Sequence, residues 1–168
     1  IDLLSKFIKS NNIDLVLNLI HGSGGEDGLV QSYLDRLSIK YVGSNSKSSK
    51  LSFNKVHTKE IWLRNKLKTP NYLKLSDNIS SKDIKEMFDE KFILKPCESG
   101  SSVGIKIFDS ANFYSSSCAD ILKKLSLNSA NVHEYFIEEF ITAPEYTAPI
   151  INNKVFPIIK IETKREFY

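Results

Sequence analysis

Two cysteines among 168 residues, Cys97 and Cys118, are too few for a disulfide framework, and no Cys-x-x-Cys pair or Cys/His cluster marks a structural zinc site. Long apolar runs are missing as well. The longest, around residues 13–20, is interrupted by Asp14 and Asn18 and is too short to span a bilayer. There is no basic block: 23 Lys and Arg and 20 Asp and Glu are scattered along the chain for a net charge of +3, so nothing directs it to nucleic acid. Signal-peptide pattern, internal repeat and low-complexity tract are all lacking. The chain also has no initiator Met and opens inside an amphipathic segment, so its true N-terminus is expected to lie upstream. These absences leave a soluble, cytoplasmic, globular chain of one domain or two small ones, with 41% hydrophobic and 26% charged residues to build it.

What is present alternates between helical and strand periodicity. Ile1, Leu4 and Ile8 share a helical stripe, residues 13–20 read as a buried strand, and a glycine-rich loop runs from His21 to Gly28. Leu29, Tyr33, Leu34 and Leu37 give the next helix an apolar face, and Ile39–Val42 is a short strand ended by Gly43. This order predicts an α/β layer with a parallel sheet, in which ligands sit outside the carboxyl ends of strands, where the 21–28 loop lies. A polar Ser/Lys-rich stretch from Ser44 to about residue 52 reads as a domain border. Beyond it come a helix over 54–66 stopped before Thr69-Pro70, a strand at Tyr72–Leu75, a helix over 80–89, and a strand–loop–strand over 91–108. A loop and helix over 112–125 follow, then a strand over 132–141. Two further strands are expected at 145–151 and 155–161, with Pro149 confining the first to an edge or bulge.

The densest chemistry lies at Lys95-Pro96-Cys97-Glu98-Ser99-Gly100-Ser101-Ser102-Val103-Gly104. Small residues let successive backbone N–H groups converge on an anion, and a lysine at the preceding strand end adds a full positive charge. The loop lacks the Gly-Lys-Ser/Thr that opens a helix in Walker sites. Instead Lys95, and Lys55 at the start of the second region, can converge on a polyphosphate. Gly100-Ser101-Ser102-Val103-Gly104 also fits the G-x-S-x-G elbow of serine hydrolases, with Ser102 as nucleophile, His133 as base and Asp109 or Asp120 as its orienter. That elbow needs a strand running into a helix, whereas Val103–Phe108 alternates like a strand and His133 also lies on a strand pattern. The sequence context favours the phosphate reading.

Assembled, these residues resemble the D-alanine–D-alanine ligases of the ATP-grasp superfamily. His21-Gly22 with Gly25-Glu26-Asp27-Gly28, Tyr41-Val42-Gly43-Ser44, Asn54-Lys55, Lys95-Pro96 with Gly100–Gly104, and Ile137-Glu138-Glu139-Phe140-Ile141 with Pro144-Glu145-Tyr146-Thr147 occur in the family's order. The resemblance implies an incomplete ATP-grasp fold: part of an N-terminal substrate domain over 1–43, a central nucleotide-binding domain over 44–141, and the opening strands of a C-terminal domain over 142–168. It implies ATP and Mg2+ (or Mn2+) as cofactors, D-alanine as substrate, and dipeptide formation through an acylphosphate for peptidoglycan precursors. It also leaves a homodimer open. D-alanine–D-lactate ligase and other ATP-grasp carboxylate–amine ligases share the same segments.

By the same resemblance, Lys55 and Lys95 bind the α- and β-phosphates, and Gly100, Ser101, Ser102 and Val103 form the covering loop. Glu138 accepts from the adenine amino group, backbone groups of Glu139 and Ile141 read the ring edge, and Glu145 binds the ribose hydroxyls. Ser101 and His21 face the reacting carboxylate and phosphate. Apart from the resemblance, Glu26 and Asp27 read as caps of the following helix, whose N-terminus favours negative charge. Asn54 departs from the family's usual Asp, and Glu98-Ser99 from its usual Arg-Glu, so the carboxylate support of the loop is expected to be rearranged or weakened. The metal ligands, the arginine that stabilises the tetrahedral intermediate and much of the second D-alanine pocket are expected beyond Tyr168, and the 168-residue chain alone is expected to be inactive.

Overall fold

The computed structural model describes residues 2–113, 118–128 and 130–162. Helix α1 (Asp2–Ser10) leads into strand β1 (Leu15–Leu17), and helix α2 (Leu29–Arg36) into strand β2 (Lys40–Val42), which pairs in parallel with β1. The parallel layer expected from the alternation is therefore present. Its first strand, however, is only three residues long and is not buried. The register sets Leu15 opposite Lys40 and Leu17 opposite Val42, so one face of this two-stranded ribbon carries Leu15, Leu17 and Val42 in the open while Val16 and Tyr41 are half-covered on the other. In α2 the buried side chains are Gln31, Tyr33 and Leu34, and Leu29 is exposed. Gln31 is buried because its Nε2 donates to the Gly25 carbonyl at 2.8 Å.

Most of the Ser/Lys-rich stretch forms a helix. Helix α3 (Ser46–Phe53) has Asn45 as its N-cap, whose Oδ1 accepts from the Ser48 N–H at 2.9 Å. It packs against α2 where Gly28 stands: a Cβ there would lie 2.3 Å from the Ser46 carbonyl oxygen, and Gly28 also has a φ of +84°. Helix α4 (Lys55–Arg64) follows directly with Asn54 as its cap, the side chain accepting from the His57 N–H at 3.0 Å.

The main core lies on a four-stranded antiparallel sheet in the order β3 (Tyr72–Lys74), β6 (Tyr135–Glu139), β4 (Lys91–Pro96), β5 (Lys106–Asp109). Helices α5 (Ser81–Met87) and α6 (Cys118–Leu125) cover one face, where Ile84, Phe92, Leu94, Ile121, Leu125 and Ile137 are almost fully buried. The Phe92 ring stacks on Phe108 at 5.6 Å, and burying such a ring contributes roughly 1.5–3 kcal/mol. A reciprocal capping box between Ser80 and Asp83 fixes the start of α5.

Val103 belongs to the hairpin turn, β5 starting only at Lys106, and His133 sits in a 3-10 turn (Val132–Glu134) ahead of β6. The two strands expected near the end divide into four: β7 (Glu145–Thr147), β8 (Ile150–Ile151), β9 (Lys154–Val155) and β10 (Ile159–Ile161). Strand β7 pairs with β10 and β8 with β9; Pro149 and Pro157, which cannot donate to a ladder, fall in the breaks. Among the described residues no helix is long and apolar enough to cross a membrane.

Candidate functional site

The four-stranded sheet has a second, charged face. Its register pairs Lys95 with Phe136, Ile93 with Glu138, Tyr72 with Glu138 and Lys74 with Phe136. Since side chains alternate, Tyr72, Lys74, Ile93, Lys95, Phe136 and Glu138 share the side opposite the apolar core. Helix α4 meets this side because its start is zipped to the chain leaving β4. The Lys55 N–H donates to the Cys97 carbonyl at 2.9 Å, Asn54 and Glu98 form an isolated antiparallel bridge, and Asn54 Nδ2 donates to Glu98 Oε1 at 2.9 Å. At the positions where the support of the loop is expected to be rearranged or weakened, Asn54 and Glu98 make a direct amide–carboxylate bond.

That attachment brings two ammonium groups together. Lys55 Nζ donates to the Ser99 carbonyl at 2.6 Å and is half-buried. Burial first, and then the positive charge of Lys95, hold Lys55 below the ordinary lysine value of 10.5, against the opposing pull of Cys97, Glu26 and Glu98. Two like charges influencing each other beside a loop of backbone dipoles form a locus that an added polyanion would relieve.

Glu138 lies under this locus. Only 8% of its side chain is exposed, Oε1 accepts from Lys95 Nζ at 2.5 Å, and Oε2 is ion-paired with Lys59. Lys59, which the sequence reading does not single out, is thereby drawn into the site. It also donates to Thr69 Oγ1 at 2.6 Å and to the Pro70 carbonyl at 3.3 Å, with the Tyr72 ring centroid 5.2 Å away. The available signal was its spacing: Lys59 is one turn after Lys55 and three residues after Val56, the other buried side chain of α4.

The glycine–serine segment closes a β4–β5 hairpin. Ser101 and Ser102 adopt φ values of 51° and 58°, and Ser99 Oγ donates to the Val103 carbonyl at 3.1 Å. Gly100 is the point of close approach to the histidine loop: a Cβ there would lie 2.7 Å from Glu26 Oε2 and 3.3 Å from the Gly22 Cα. Within that loop Gly22 N–H donates to Glu26 Oε2 at 2.6 Å. Asp27 collects Gly24 N–H at 2.7 Å, Leu29 N–H at 3.0 Å and Ser23 Oγ at 3.1 Å. Partial burial pushes the Asp27 carboxyl upward, but these bonds outweigh it and hold the group below 3.8. Glu26 therefore shapes the loop, and Asp27 ties it to the start of α2. His21, His-loop Ser23, Ser99 and Ser101 line a cavity of about 300 Å³ between the loops. The His21 side chain is 79% exposed, with Nδ1 4.0 Å from Glu26. Two larger clefts, of about 720 and 810 Å³, share Asn54, His57 and Glu98 and are not lined by Lys55 or Lys95.

The structure brings Lys55, Lys95, Glu138, Gly100, Ser101 and His21 to adjoining loops and one sheet face. Glu139 spends its N–H on the Asn71 carbonyl at 2.9 Å, and Ile141 is the first residue past the ladder after Phe140 N–H bonds the Lys91 carbonyl at 3.2 Å. Glu145 is exposed on β7, outside the four-stranded sheet. The hydrolase elbow is not formed, because Ser102 sits in a hairpin turn rather than between a strand and a helix. His133 Nε2 lies 3.7 Å from Asp77, and Asp109 Oδ1 accepts from the Ala111 N–H at 2.9 Å.

Residues 62–168 match the family described as D-ala D-ala ligase C-terminus. Over 170 residues the chain is 37% identical to the D-alanine–D-alanine ligase of Pelagibacter ubique, covering 98% of this chain and 53% of that protein. It is 36% identical to that of Buchnera aphidicola subsp. Schizaphis graminum, covering 96% and 53% respectively. The crystal structure of D-alanine–D-alanine ligase from Bacillus anthracis aligns with a TM-score of 0.73 at 30% identity, covering 98% of this chain and 52% of that one. The same enzyme complexed with ATP aligns at 0.71 and 28% identity, covering 98% and 53%. The fold is thus ATP-grasp over the part the chain represents, and the chain spans about half the length of the curated relatives it matches.

Proposed function

The chain belongs to the D-alanine–D-alanine ligase family, and from that premise we propose that it carries the nucleotide site of an enzyme that joins two D-alanines with ATP. The reaction makes an acylphosphate from one D-alanine carboxylate and the γ-phosphate; the amine of the second D-alanine then displaces phosphate to give the dipeptide for peptidoglycan. Its setting is the cytoplasm, where ATP is held.

One observation carries this reading: the half-buried Lys55 ammonium is held 2.6 Å from the Ser99 carbonyl, at the mouth of the Gly100–Gly104 turn that follows the strand bearing Lys95. Phosphoryl transfer depends chiefly on positioning and charge neutralisation, and two lysines on the nucleotide phosphates supply both. Glu138, the Glu139 carbonyl and the backbone of Ile141 take the adenine edge, the Glu139 N–H being held by Asn71, and Glu145 takes the ribose hydroxyls. The small cavity between His21 and Ser101 receives the first D-alanine, with the Ser101 hydroxyl and N–H donating to its activated carboxylate. No cluster of three His, Cys, Asp or Glu side chains able to hold a metal ion occurs among the described residues.

The test is D-alanine-dependent phosphate release from MgATP by the full-length protein, together with nucleotide affinity of Lys95→Ala. Loss of binding in that variant is the expected result. Unchanged ATP affinity would overturn the role of Lys95, and absence of D-alanine-dependent turnover would overturn the ligase reading.

A further inference from the structure

A buried lysine with every proton committed is an unusual thing to place one turn from a nucleotide-binding lysine. Only 6% of the Lys59 side chain is exposed, and its three ammonium protons have three acceptors: Glu138 Oε2, Thr69 Oγ1 and the Pro70 carbonyl. Lys95 is different. A quarter of its side chain is exposed, and its ammonium makes one short contact, to the other Glu138 oxygen. One carboxylate is therefore held from below by a fixed cation and from the open side by a reachable one.

Resting on the ligase reading above, we infer that Lys59 is a positioning residue for the nucleotide site: it keeps Glu138 permanently paired, so that Lys95 can exchange this carboxylate for a phosphate. The physical reason is the cost of an uncompensated buried charge. Were Lys95 the sole counter-ion, its departure toward a phosphate would strand an ionised carboxylate in a site almost closed to water. Lys95 would then stay on Glu138, and the nucleotide would lose a cation. With Lys59 anchored by Thr69 and Pro70, Glu138 remains neutralised and oriented while Lys95 moves. The segment 69–70 joining α4 to β3 thus acts on phosphate binding without touching the nucleotide.

The test is a double-mutant cycle in the full-length protein, read as affinity for a non-hydrolysable ATP analogue. Lys59→Met preserves the stem and removes the charge; it should weaken the analogue by about tenfold or more. Glu138→Gln removes the competing charge, so adding Lys59→Met to Glu138→Gln should cost little further affinity. Equal losses in both backgrounds would mean that Lys59 only supports packing, and would overturn the proposal. Should Lys59→Met fail to fold, the wild-type protein provides the readout through 13C NMR of the lysine ε-carbons. The analogue should move the Lys95 signal and leave that of Lys59 in place; a stationary Lys95 signal on saturation would overturn the exchange. A wild-type protein that binds no analogue would instead overturn the ligase reading itself.

Discussion

Asn54 and Glu98, 44 residues apart in sequence, are joined by an Nδ2–Oε1 bond of 2.9 Å while Asn54 Oδ1 caps helix α4 through the His57 N–H. The amide does both at once, donating from one arm and accepting with the other. An aspartate would still cap the helix, but it would turn a hydrogen bond into a carboxylate–carboxylate contact. Asn54→Asp is therefore expected to lower stability by about 1 kcal/mol, measured as a reduced urea midpoint at unchanged m. Adding Glu98→Arg should restore the midpoint by creating an opposite-charge pair. No recovery in the double variant would show that the Asn54–Glu98 bond does not set the attachment of the hairpin to α4.

Lys55 links this attachment to pH. Its pKa lies below 10.5 in the folded protein, chiefly through burial and then through Lys95. Between the depressed value and 10.5 the unfolded chain holds a proton at this position that the folded chain has released. Stability therefore rises with pH across that window, and the destabilisation is complete below it. Lys55→Met removes the contribution, so the variant's plot of unfolding free energy against pH should be flatter than the wild type's in the same window. ATP affinity of the wild-type protein should fall as pH rises through it, because the ligand needs the charged form. Parallel stability curves for the two proteins would contradict the assigned cause.

How much of this was legible beforehand depends on whether local chemistry or tertiary pairing decides an element. Helix α4 announces itself through Asn54 at one end and Thr69-Pro70 beyond the other, and the β4–β5 hairpin through two apolar runs around a glycine turn. Helix α3 has no apolar stripe: among its residues only Ser49 is buried, and the helix is set by the Asn45 cap and by the contact that Gly28 permits. Leu15 and Leu17 show the opposite failure. Their run reads as buried, but hydrophobicity alone does not say whether a second layer covers the face. Lys55 and Lys95 are legible as cations flanking a glycine–serine turn, and their separate phosphate roles come from resemblance to a family. The Lys59–Glu138 pair joins a helix to a strand 79 positions later, and no periodicity carries that information.

The contact between the histidine loop and the serine turn makes a separate prediction. Gly100→Ala places a methyl group 2.7 Å from Glu26 Oε2, a side-chain end that can turn aside, and 3.3 Å from the Gly22 Cα and N, backbone from which the hairpin must draw back slightly, so the thermal midpoint should change little. The displacement moves Ser101 away from His21, and misplacement of this order typically costs about 100-fold in rate. Gly25→Ala is the contrast: its Cβ would lie 2.1 Å from the Ile20 carbonyl oxygen, backbone against backbone, and should cost about 1–3 kcal/mol of stability. Full D-alanine-dependent turnover by Gly100→Ala would remove the need for the two loops to touch.

Ser101 and Ser102 separate folding from chemistry at the turn itself. Both are non-glycine residues with φ near +55°, a conformation that an L side chain adopts at roughly 1 kcal/mol or more. Ser38, Lys66 and Ser126 hold the same conformation elsewhere in the chain, so the strain alone assigns no role; at Ser101 it coincides with a place in the lining of the cavity shared with His21. Ser101→Gly relieves the strain but enlarges the freedom of the unfolded chain, for a net gain of at most about 1 kcal/mol. Ser101→Ala keeps the strain and gains nothing. Both variants should lose dipeptide synthesis, measured as D-alanine-dependent phosphate release, and only the glycine variant should melt higher than wild type. Should the glycine variant be more stable and equally active, the strain would have no catalytic counterpart, and Ser101 would be a turn residue that tolerates its conformation rather than one that uses it.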